Sequence, residues 1–350
     1  MNGVLRERSL SATNRLGVSR VIGSSGWRRR RLLILCYHGI SLTNEHEWNP
    51  SLYMPASTLE RRLQTIERTG CTVLPLGEAV ARLYRGALPD RAVALTFDDG
   101  YYDFLARAYP LLERYGFPAT VYLPTLRCEH NRPIVNVLAA YMMWLRRDRV
   151  LTAPELPGLG AEPYPLATAA QRALVLQRIN AAIRPLDPEP DERDEIARAL
   201  ARRLELEYDR FVEERVLTLL RPSEVTWLAT RGIDFQLHTH RHRTPDDDDR
   251  FVEEVLENRE RLQAMTGMPA VHFCYPSGVY RSAYLPLLRA NGVRSATTTR
   301  LGIAGPSSDP LLLPRFVDTS LVSDGKFEAW LQGILPWLRD PRGAHVPVPR

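Results

Sequence analysis

The chain has 350 residues, of which 44% are hydrophobic and 25% charged, a composition typical of a folded globular protein that excludes wholesale disorder. Its formal net charge of +5 is concentrated at the beginning, because residues 1–31 contain eight arginines and one acidic residue. The rest of the chain is close to neutral. It lacks the domain-wide basic excess that nucleic-acid-binding proteins usually carry, so we expect no nucleic-acid partner.

The basic segment 1–31 is interpreted as a disordered leader, and the alternative is contact with anionic lipid at a membrane surface. The apolar run that follows, residues 32–36, is shorter than the roughly 7 to 15 apolar residues of a signal peptide. No stretch approaches the roughly 20 apolar residues of a transmembrane helix. We therefore expect a cytoplasmic protein, at most peripheral to a membrane. The four cysteines lack CxxC spacing and are interpreted as buried hydrophobic residues.

From residue 32 onward, short β-rich runs alternate with amphipathic helical stretches, as in parallel α/β proteins. Candidate strands lie at residues 32–38, 72–76, 92–97, 119–124, 233–238, 271–275, 295–299 and 312–317. Helices are predicted at residues 102–115, 222–231, 248–266, 283–291 and 325–336, in addition to a first helix that follows the first strand. This alternation predicts an α/β fold, a distorted (β/α) TIM-like barrel of seven or eight strands.

The first predicted helix begins with the capping box Ser57-x-x-Glu60 and ends before Gly70. Residues 126–221 break the alternation, since helical patterns occur there without a convincing strand. We interpret this interval as a helical insertion that either shapes the mouth of a site or packs as an accessory. The barrel is thus expected over residues 32–320. A C-terminal helix and a Pro-rich tail are expected over residues 321–350.

Two adjacent carboxylates, Asp98 and Asp99, end a buried strand and precede Gly100. Such a pair is costly unless a cation or hydrogen bonds compensate it. Asp-Asp-Gly is also a good turn sequence, so the pair alone leaves both interpretations open.

Another predicted strand ends at His238, and two more histidines follow it at positions 240 and 242. His238 and His242 would share a face if the chain enters a helical turn, whereas His238 and His240 would share one if the strand continued. Thr244 and Pro245 favour an early end of the strand. We therefore assign His238 and His242 to a metal ion and expect His240 to point away.

The strand ends bring these observations together. His38 closes the first predicted strand, where it is either a structural or a catalytic residue, and Tyr275 closes a later one. In parallel barrels the working residues lie at the carboxyl ends of strands. Two histidines and one carboxylate can hold a metal ion with open positions for water and substrate. The second aspartate is then free to act on that water.

The motifs Thr96-Phe97-Asp98-Asp99-Gly100 and His238-Thr239-x-x-His242 resemble the first two motifs of the polysaccharide deacetylases, the family with the NodB homology domain. The resemblance extends through residues 116–121, Tyr275-Pro276-x-Gly278 and Leu313-Pro314-Arg315, and covers roughly residues 32–320.

The resemblance implies hydrolysis of N-acetyl, sometimes O-acetyl, groups on sugars of a polysaccharide, oligosaccharide or glycolipid. It implies a divalent metal, zinc with cobalt or nickel as alternatives, bound by Asp99, His238 and His242. Water bound to this metal would attack the acetyl carbonyl with Asp98 as the general base. The turn of Tyr275, Pro276 and Gly278 would supply an amide to the oxyanion.

The sequence departs from the common family pattern in two places. Cys274 and Tyr275 stand where many members have an arginine, and no Leu-x-His motif supplies a general-acid histidine near the C-terminus, where His345 is a poor candidate. In a subgroup acting on poly-N-acetylglucosamine, the motif order resembles a circular permutation and an N-terminal Tyr-His supplies the acid. Tyr37-His38 is similar, so His38 is expected to be the general acid. The alternatives are a catalytically silent carbohydrate-binding barrel and an amidase or deacetylase of a small molecule.

Overall fold

The computed structural model describes residues 25–130, 132–183 and 190–335. Within them the strands are β1 Leu33–Tyr37, β2 Gly39–Ile40, β3 Tyr53–Met54, β4 Thr72–Val73, β5 Ala92–Asp98, β6 Thr120–Leu123, β7 Val150–Leu151, β8 Tyr164–Pro165, β9 Asp234–Leu237, β10 His272–Cys274, β11 Ser295–Leu301 and β12 Leu313–Val317.

The helices of this part of the chain are α1 Gly26–Arg29, α2 Glu45–Trp48, α3 Ala56–Arg68, α4 Leu76–Tyr84, α5 Tyr109–Tyr115, α6 Leu126–His130, α7 Val135–Leu145, α8 Ala169–Ile183, α9 Pro190–Arg203, α10 Tyr208–Glu213, α11 Pro222–Ala229, α12 Asp248–Thr266, α13 Tyr284–Ala290 and α14 Asp324–Leu331. A π-helical turn, Phe104–Ala108, leads directly into α5. None of these described helices combines the length and the apolar character needed to cross a membrane.

Seven parallel strands close into a barrel. Their order is β1-β12-β11-β10-β9-β6-β5, and β5 pairs back with β1 from Leu33↔Val93 to Tyr37↔Phe97. The predicted α/β barrel is thus confirmed. The predicted strand at 72–76 is the short β4, which joins β5 at the outside of the ring. β1 and β5 are buried along their whole length, which explains why their sequences are continuous apolar runs.

The inside of the barrel becomes polar toward the carboxyl ends of the strands. An apolar cluster deeper in the barrel includes Ile34, Ala94, Tyr122, Cys274 and Leu313. Side chains two residues apart on a strand face the same side, so Cys36, Asp98 and Arg315 also point inward, nearer the mouth. The barrel therefore places a carboxylate, a guanidinium and a thiol in its own interior.

The first predicted helix is correct at its end and wrong at its start. α3 begins at Ala56 after the extended Pro55, and no side chain caps it, so Ser57 lies inside the first turn and the predicted capping box is wrong. Pro55 has no N–H and a fixed φ, so it can lead into the helix without a serine cap. At the other end Gly70 has a φ of 67° and its amide donates to the Glu67 carbonyl at 2.9 Å, as a C-terminal glycine should.

The interval of residues 126–221 contains α6 to α10 and a short antiparallel pair β7–β8 that was not predicted. Its apolar side chains form a separate core that also includes Tyr53 of β3. The hydroxyl of Tyr141 on α7 lies 3.2 Å from Thr43 Oγ1 and donates to Asn44. The helical interval therefore packs on the loop after β2, beside the mouth of the barrel.

Residues 25–31, which the sequence interpretation placed in the leader, are packed against the barrel. Arg28 is fully buried in α1 and donates to the carbonyl oxygens of Ala92 at 3.2 Å and Leu331 at 3.4 Å. The guanidinium thus satisfies acceptors that would otherwise be buried without donors. The folded part begins before residue 32, so the predicted leader boundary is too late. Residues 1–24 and the Pro-rich tail lie outside the described residues.

Candidate metal centre and catalytic base

The three predicted metal ligands meet at the mouth of the barrel. Asp99 Oδ1 lies 3.4 Å from His238 Nε2 and 3.1 Å from His242 Nε2, and the two imidazole rings are 4.8 Å apart. Asp99 directly follows β5 and His238 directly follows β9. The carboxyl ends of two parallel strands therefore bring together residues that are far apart in sequence.

Left-handed backbone conformations aim these side chains. Asp99 has a φ of 69°, Thr239 of 61° and His242 of 55°. Residues with a Cβ rarely adopt such angles, which cost on the order of 1–3 kcal/mol each and persist only where surrounding contacts hold them. One such contact is the hydrogen bond from the Arg243 amide to Thr239 Oγ1 at 3.0 Å. At Asp99 the turn directs the carboxylate to the histidines, whereas Asp98 continues inward with β5.

Hydrogen bonds fix the orientation and the tautomer of His238. Its Nδ1 lies 2.8 Å from the carbonyl oxygen of Cys274, and a carbonyl can only accept, so Nδ1 carries the proton. Nε2 then offers its lone pair toward Asp99. The His238 amide donates to Asn258 Oδ1 at 2.8 Å, and Asn258 Nδ2 donates to the Leu123 carbonyl at 2.9 Å. Two neighbouring strands and α12 thus hold the His238 side chain in place.

His240 points away from the other two histidines. Its Nδ1 lies 2.9 Å from Thr125 Oγ1, and its Nε2 is 3.9 Å from a carboxylate oxygen of Glu257. The side chain is buried against the segment that follows β6. The structure therefore groups His238 with His242, and not with His240, as the sequence predicted.

The distances from the Asp99 carboxylate to the two imidazoles fit a divalent ion. Ligand atoms about 2.0–2.1 Å from a tetrahedral zinc lie about 3.3–3.4 Å apart, close to the two carboxylate–imidazole distances of 3.1 and 3.4 Å. Two other donor groups combine Asp98 with Cys36 or Cys274. Burial raises the pKa of both thiols well above the ordinary value, and thiols bind metals as thiolates. Asp99 and the two histidines are therefore the better-suited donor set.

Asp98 is clamped by Arg315 of β12. The guanidinium donates from Nη1 to Oδ1 and from Nη2 to Oδ2 of Asp98, both at 2.7 Å, and the two side chains are 0% and 4% exposed. Burial opposes ionisation of Asp98, but this bidentate ion pair outweighs it and holds the pKa well below its usual range. The thiols of Cys36 and Cys274 lie 3.6 and 3.5 Å from Oδ2. Asp98 is thus an ionised carboxylate held in one orientation.

The sequence analysis quoted Arg315 only as part of the motif Leu313-Pro314-Arg315 and did not predict its contact with Asp98. The arginine expected beside the third motif is absent, since Cys274 stands there, and Arg315 supplies a guanidinium from a different strand. Arg315 Nη2 lies 3.2 Å from Cys274 Sγ, so the guanidinium lies beside the residue that replaces the expected arginine. The available signal was a lone arginine in the apolar run from Leu311 to Val317, at an inward position two residues after Leu313.

His38 lies on the other side of Asp98. Its Nε2 is 3.7 Å from Asp98 Oδ2, and its side chain is 16% exposed. The histidine directly follows β1, which is paired with β5 in the closed barrel. The structure therefore brings His38, the predicted general acid, next to Asp98, the predicted base, at a partly exposed position.

The turn after β10 differs from the expectation. The Tyr275 ring is buried and its hydroxyl donates to the Leu311 carbonyl at 3.1 Å, while its amide donates to the Thr297 carbonyl at 3.3 Å. Pro276 has no N–H, and the Gly278 amide donates to the Tyr275 carbonyl at 2.9 Å. The predicted oxyanion residues are thus engaged within the protein. Ser277, exposed between them with a φ of 55°, has an amide with no acceptor among the described residues.

Comparisons with known proteins show which family this chain is similar to. The family model described as Polysaccharide deacetylase matches residues 85–144 and 195–296, which include the aspartate pair and the histidine motif. YxkH of Bacillus subtilis (strain 168), assigned by name to the polysaccharide deacetylases, is 36% identical over 94 residues, which cover 27% of this chain and 32% of that protein. The poly-beta-1,6-N-acetyl-D-glucosamine N-deacetylase of Escherichia coli (strain K12) is 25% identical over 101 residues, covering 28% of this chain and 15% of that protein.

These matches span about a third of one curated relative and less than a fifth of the other. Among solved structures, the Streptococcus pyogenes deacetylase PplD in complex with acetate superposes with a TM-score of 0.56 at 19% identity, covering 85% of this chain and 96% of that chain. The structural likeness establishes a shared fold. By the family model and the motifs, the barrel of this chain is similar to the polysaccharide deacetylases, and the model matches 162 of the 350 residues.

Proposed function

We propose that this chain is a metal-dependent hydrolase that removes N-acetyl groups from an amino sugar in a polysaccharide, oligosaccharide or glycolipid. One observation carries the proposal. Two adjacent carboxylates at one barrel mouth have different partners, Asp99 with His238 and His242, and Asp98 with Arg315. Pairs of carboxylates with distinct environments are what a hydrolytic site needs to divide metal binding from proton transfer.

The proposed roles follow from these contacts. A divalent ion held by Asp99, His238 and His242 would lower the pKa of a water molecule from about 16 toward 7 and polarise the acetyl carbonyl. Asp98, ionised and fixed by Arg315, accepts the proton of the attacking water. Oδ2 accepts from Arg315 and faces the thiols of Cys36 and Cys274, whereas Oδ1 accepts only from Arg315 Nη1 among the described residues. One lone pair of Oδ1 is therefore left to accept the proton.

His38 is proposed to protonate the departing amine. It stands 3.7 Å from Asp98 and reaches the solvent-exposed side of the mouth, where a sugar nitrogen can approach. For the oxyanion we propose the Ser277 amide, because the amides of Tyr275 and Gly278 already donate within the protein. Donors for an oxyanion must be free to face the substrate.

The alternative of a catalytically silent barrel rested partly on the absent arginine. The Asp98–Arg315 pair supports the enzyme over that alternative, because a guanidinium from β12 stands beside the proposed base. For the substrate, the E. coli relative is named for poly-beta-1,6-N-acetyl-D-glucosamine, and the PplD structure is described as a complex with acetate. We therefore propose an N-acetylated glycan rather than a small-molecule amide, with zinc, cobalt or nickel as the ion.

The test is acetate release from a panel of an N-acetylglucosamine oligosaccharide, an O-acetylated sugar, a lipid-linked acetylated sugar and a simple acetamide. Each is measured with chelator and after addition of zinc, cobalt or nickel. We expect metal-dependent release from the N-acetylated sugars and little from the acetamide. Binding of the oligosaccharide without acetate release under every metal would support the silent barrel, and preference for the acetamide would support the small-molecule amidase.

A further inference from the structure

Arg127, an arginine near the barrel mouth, has no counter-ion among the described residues. Arg127 lies in α6, directly after the segment that links β6 to the helical interval, and it is half-buried. No described residue accepts a hydrogen bond from its guanidinium or forms an ion pair with it. Arginines that are removed from water usually have a carboxylate or carbonyl partner, so this arrangement calls for an explanation.

The position of α6 places Arg127 next to the metal ligands. The Leu126 amide donates to the His240 carbonyl at 2.9 Å, and Thr125 Oγ1 contacts the His240 imidazole at 2.9 Å. His240 lies between the two ligand histidines in the chain. The segment that carries Arg127 is therefore bound to the loop that holds His238 and His242.

The charges around Arg127 favour an anion. Tyr101, two residues after Asp99, is buried, and its hydroxyl lies in the neighbourhood of both Asp99 and Arg127. Arg193, from α9 of the helical interval, is a second cation close enough to repel Arg127. Burial, and then this repulsion, lower the pKa of Arg127. A bound anionic group would relieve both costs, since a guanidinium fork matches the oxygens of a phosphate or carboxylate.

We propose that Arg127, with Arg193 behind it, recognises an anionic group, a phosphate or a carboxylate, on the acetylated sugar substrate. The inference rests on the proposed function and specifies its substrate class. It gives the helical interval a role in specificity, because Arg193 belongs to that interval and α6 opens it. Neutral N-acetylated sugars would still reach the metal centre, but without this contact.

The experiment compares matched probes on the metal-loaded full chain. N-acetylglucosamine is the neutral probe, N-acetylglucosamine 1-phosphate and 6-phosphate carry phosphate, and N-acetylmuramic acid carries a carboxylate. Calorimetric binding and kcat/KM are measured for the wild type and for Arg127→Gln. We expect the wild type to favour one anionic probe over the neutral probe at least tenfold, and Arg127→Gln to lose about tenfold to hundredfold on that probe alone. Whether a phosphate or the carboxylate shows the effect identifies the source of the anion.

The control is Arg261→Gln. Arg261 is 54% exposed and already pairs with Glu129 of α6 at 3.4 Å, so its loss removes a nearby cation that has a counter-ion. It should leave the preference for the anionic probe unchanged. Arg127→Lys keeps the positive charge but loses the two-pronged guanidinium, so it should retain part of the preference for the anionic probe. It serves as the test variant if Arg127→Gln does not fold.

The same ratio of anionic to neutral binding in the wild type and the Arg127 variant would overturn the inference. Phosphate groups that reach the metal ion bind equally in both proteins, so they do not imitate the effect. Absence of acetate release from every probe would instead count against the proposed function, and the binding ratio would still decide the role of Arg127.

Discussion

Removing either partner of the Asp98–Arg315 pair is expected to destabilise the protein strongly, whereas removing both costs less than the sum. The two side chains are 4% and 0% exposed, so water cannot solvate either charge once its partner is gone. Deleting one member of such a pair costs about 3–5 kcal/mol, largely because the other charge stays buried. The two hydrogen bonds at 2.7 Å, each worth about 1.5–3 kcal/mol, give a similar range.

The assay is a double-mutant cycle with Arg315→Met, Asp98→Asn and both together. Urea unfolding is measured with chelator present, so that altered metal affinity does not enter the free energy of unfolding. We expect Arg315→Met to lose about 3–5 kcal/mol and Asp98→Asn somewhat less, because the amide still accepts one hydrogen bond. The double variant should be at least about 2 kcal/mol more stable than additivity predicts.

Additive losses would refute the reasoning, since they would mean that the two side chains do not depend on each other. Acetate release provides a second readout from the same proteins. The double variant should regain stability without regaining activity, because the proposed base is still absent. A wild-type rate in Arg315→Met would show that the guanidinium does not position Asp98.

Two further predictions concern other side chains. His242→Ala should abolish stoichiometric binding of added zinc, measured by calorimetry, whereas His240→Ala should retain it because that imidazole contacts Thr125; the reverse result would contradict the ligand assignment. Burial raises the pKa of Asp318 to about 6, although Arg62 opposes it. The folded protein thus holds a proton that the unfolded chain releases above pH about 4. The stabilisation from Asp318, up to about 3 kcal/mol, should be lost as the pH rises through 6. Urea unfolding across this range should show a smaller decline for Asp318→Asn than for wild type, and an equal decline would contradict this.

Part of the barrel could be predicted because β1 and β5 are buried along their whole length and form apolar runs in the sequence. Each of the eight predicted strands overlaps a strand of the structure. Whether a strand belongs to the ring depends on pairing between distant segments, which periodicity does not contain. The sequence therefore did not predict that β4 lies outside the seven-stranded ring. The capping box at Ser57 failed because Pro55 starts the helix earlier.

The site was predictable where motif and local turn coincide, as at the strand ends that carry Asp99 and His238. It was not predictable where a contact joins distant segments. Asp98 and Arg315 are 217 residues apart, and no local pattern links them. Likewise, the hydrogen bonds that occupy the amides around Ser277 depend on neighbouring strands. The burial of Arg28 could not be predicted either, because the carbonyl groups that it binds, those of Ala92 and Leu331, are distant in sequence.

The measurement that tests the central claim most directly is acetate turnover per bound metal ion in the wild type and in Asp98→Asn. Asp98 is held by Arg315 and not by the metal ligands, so the variant should bind the ion with the same stoichiometry. Its turnover per bound ion should fall by roughly a hundredfold to ten-thousandfold, the usual contribution of a general base. Equal turnover per bound ion in the two proteins would contradict the assignment of Asp98 as the base.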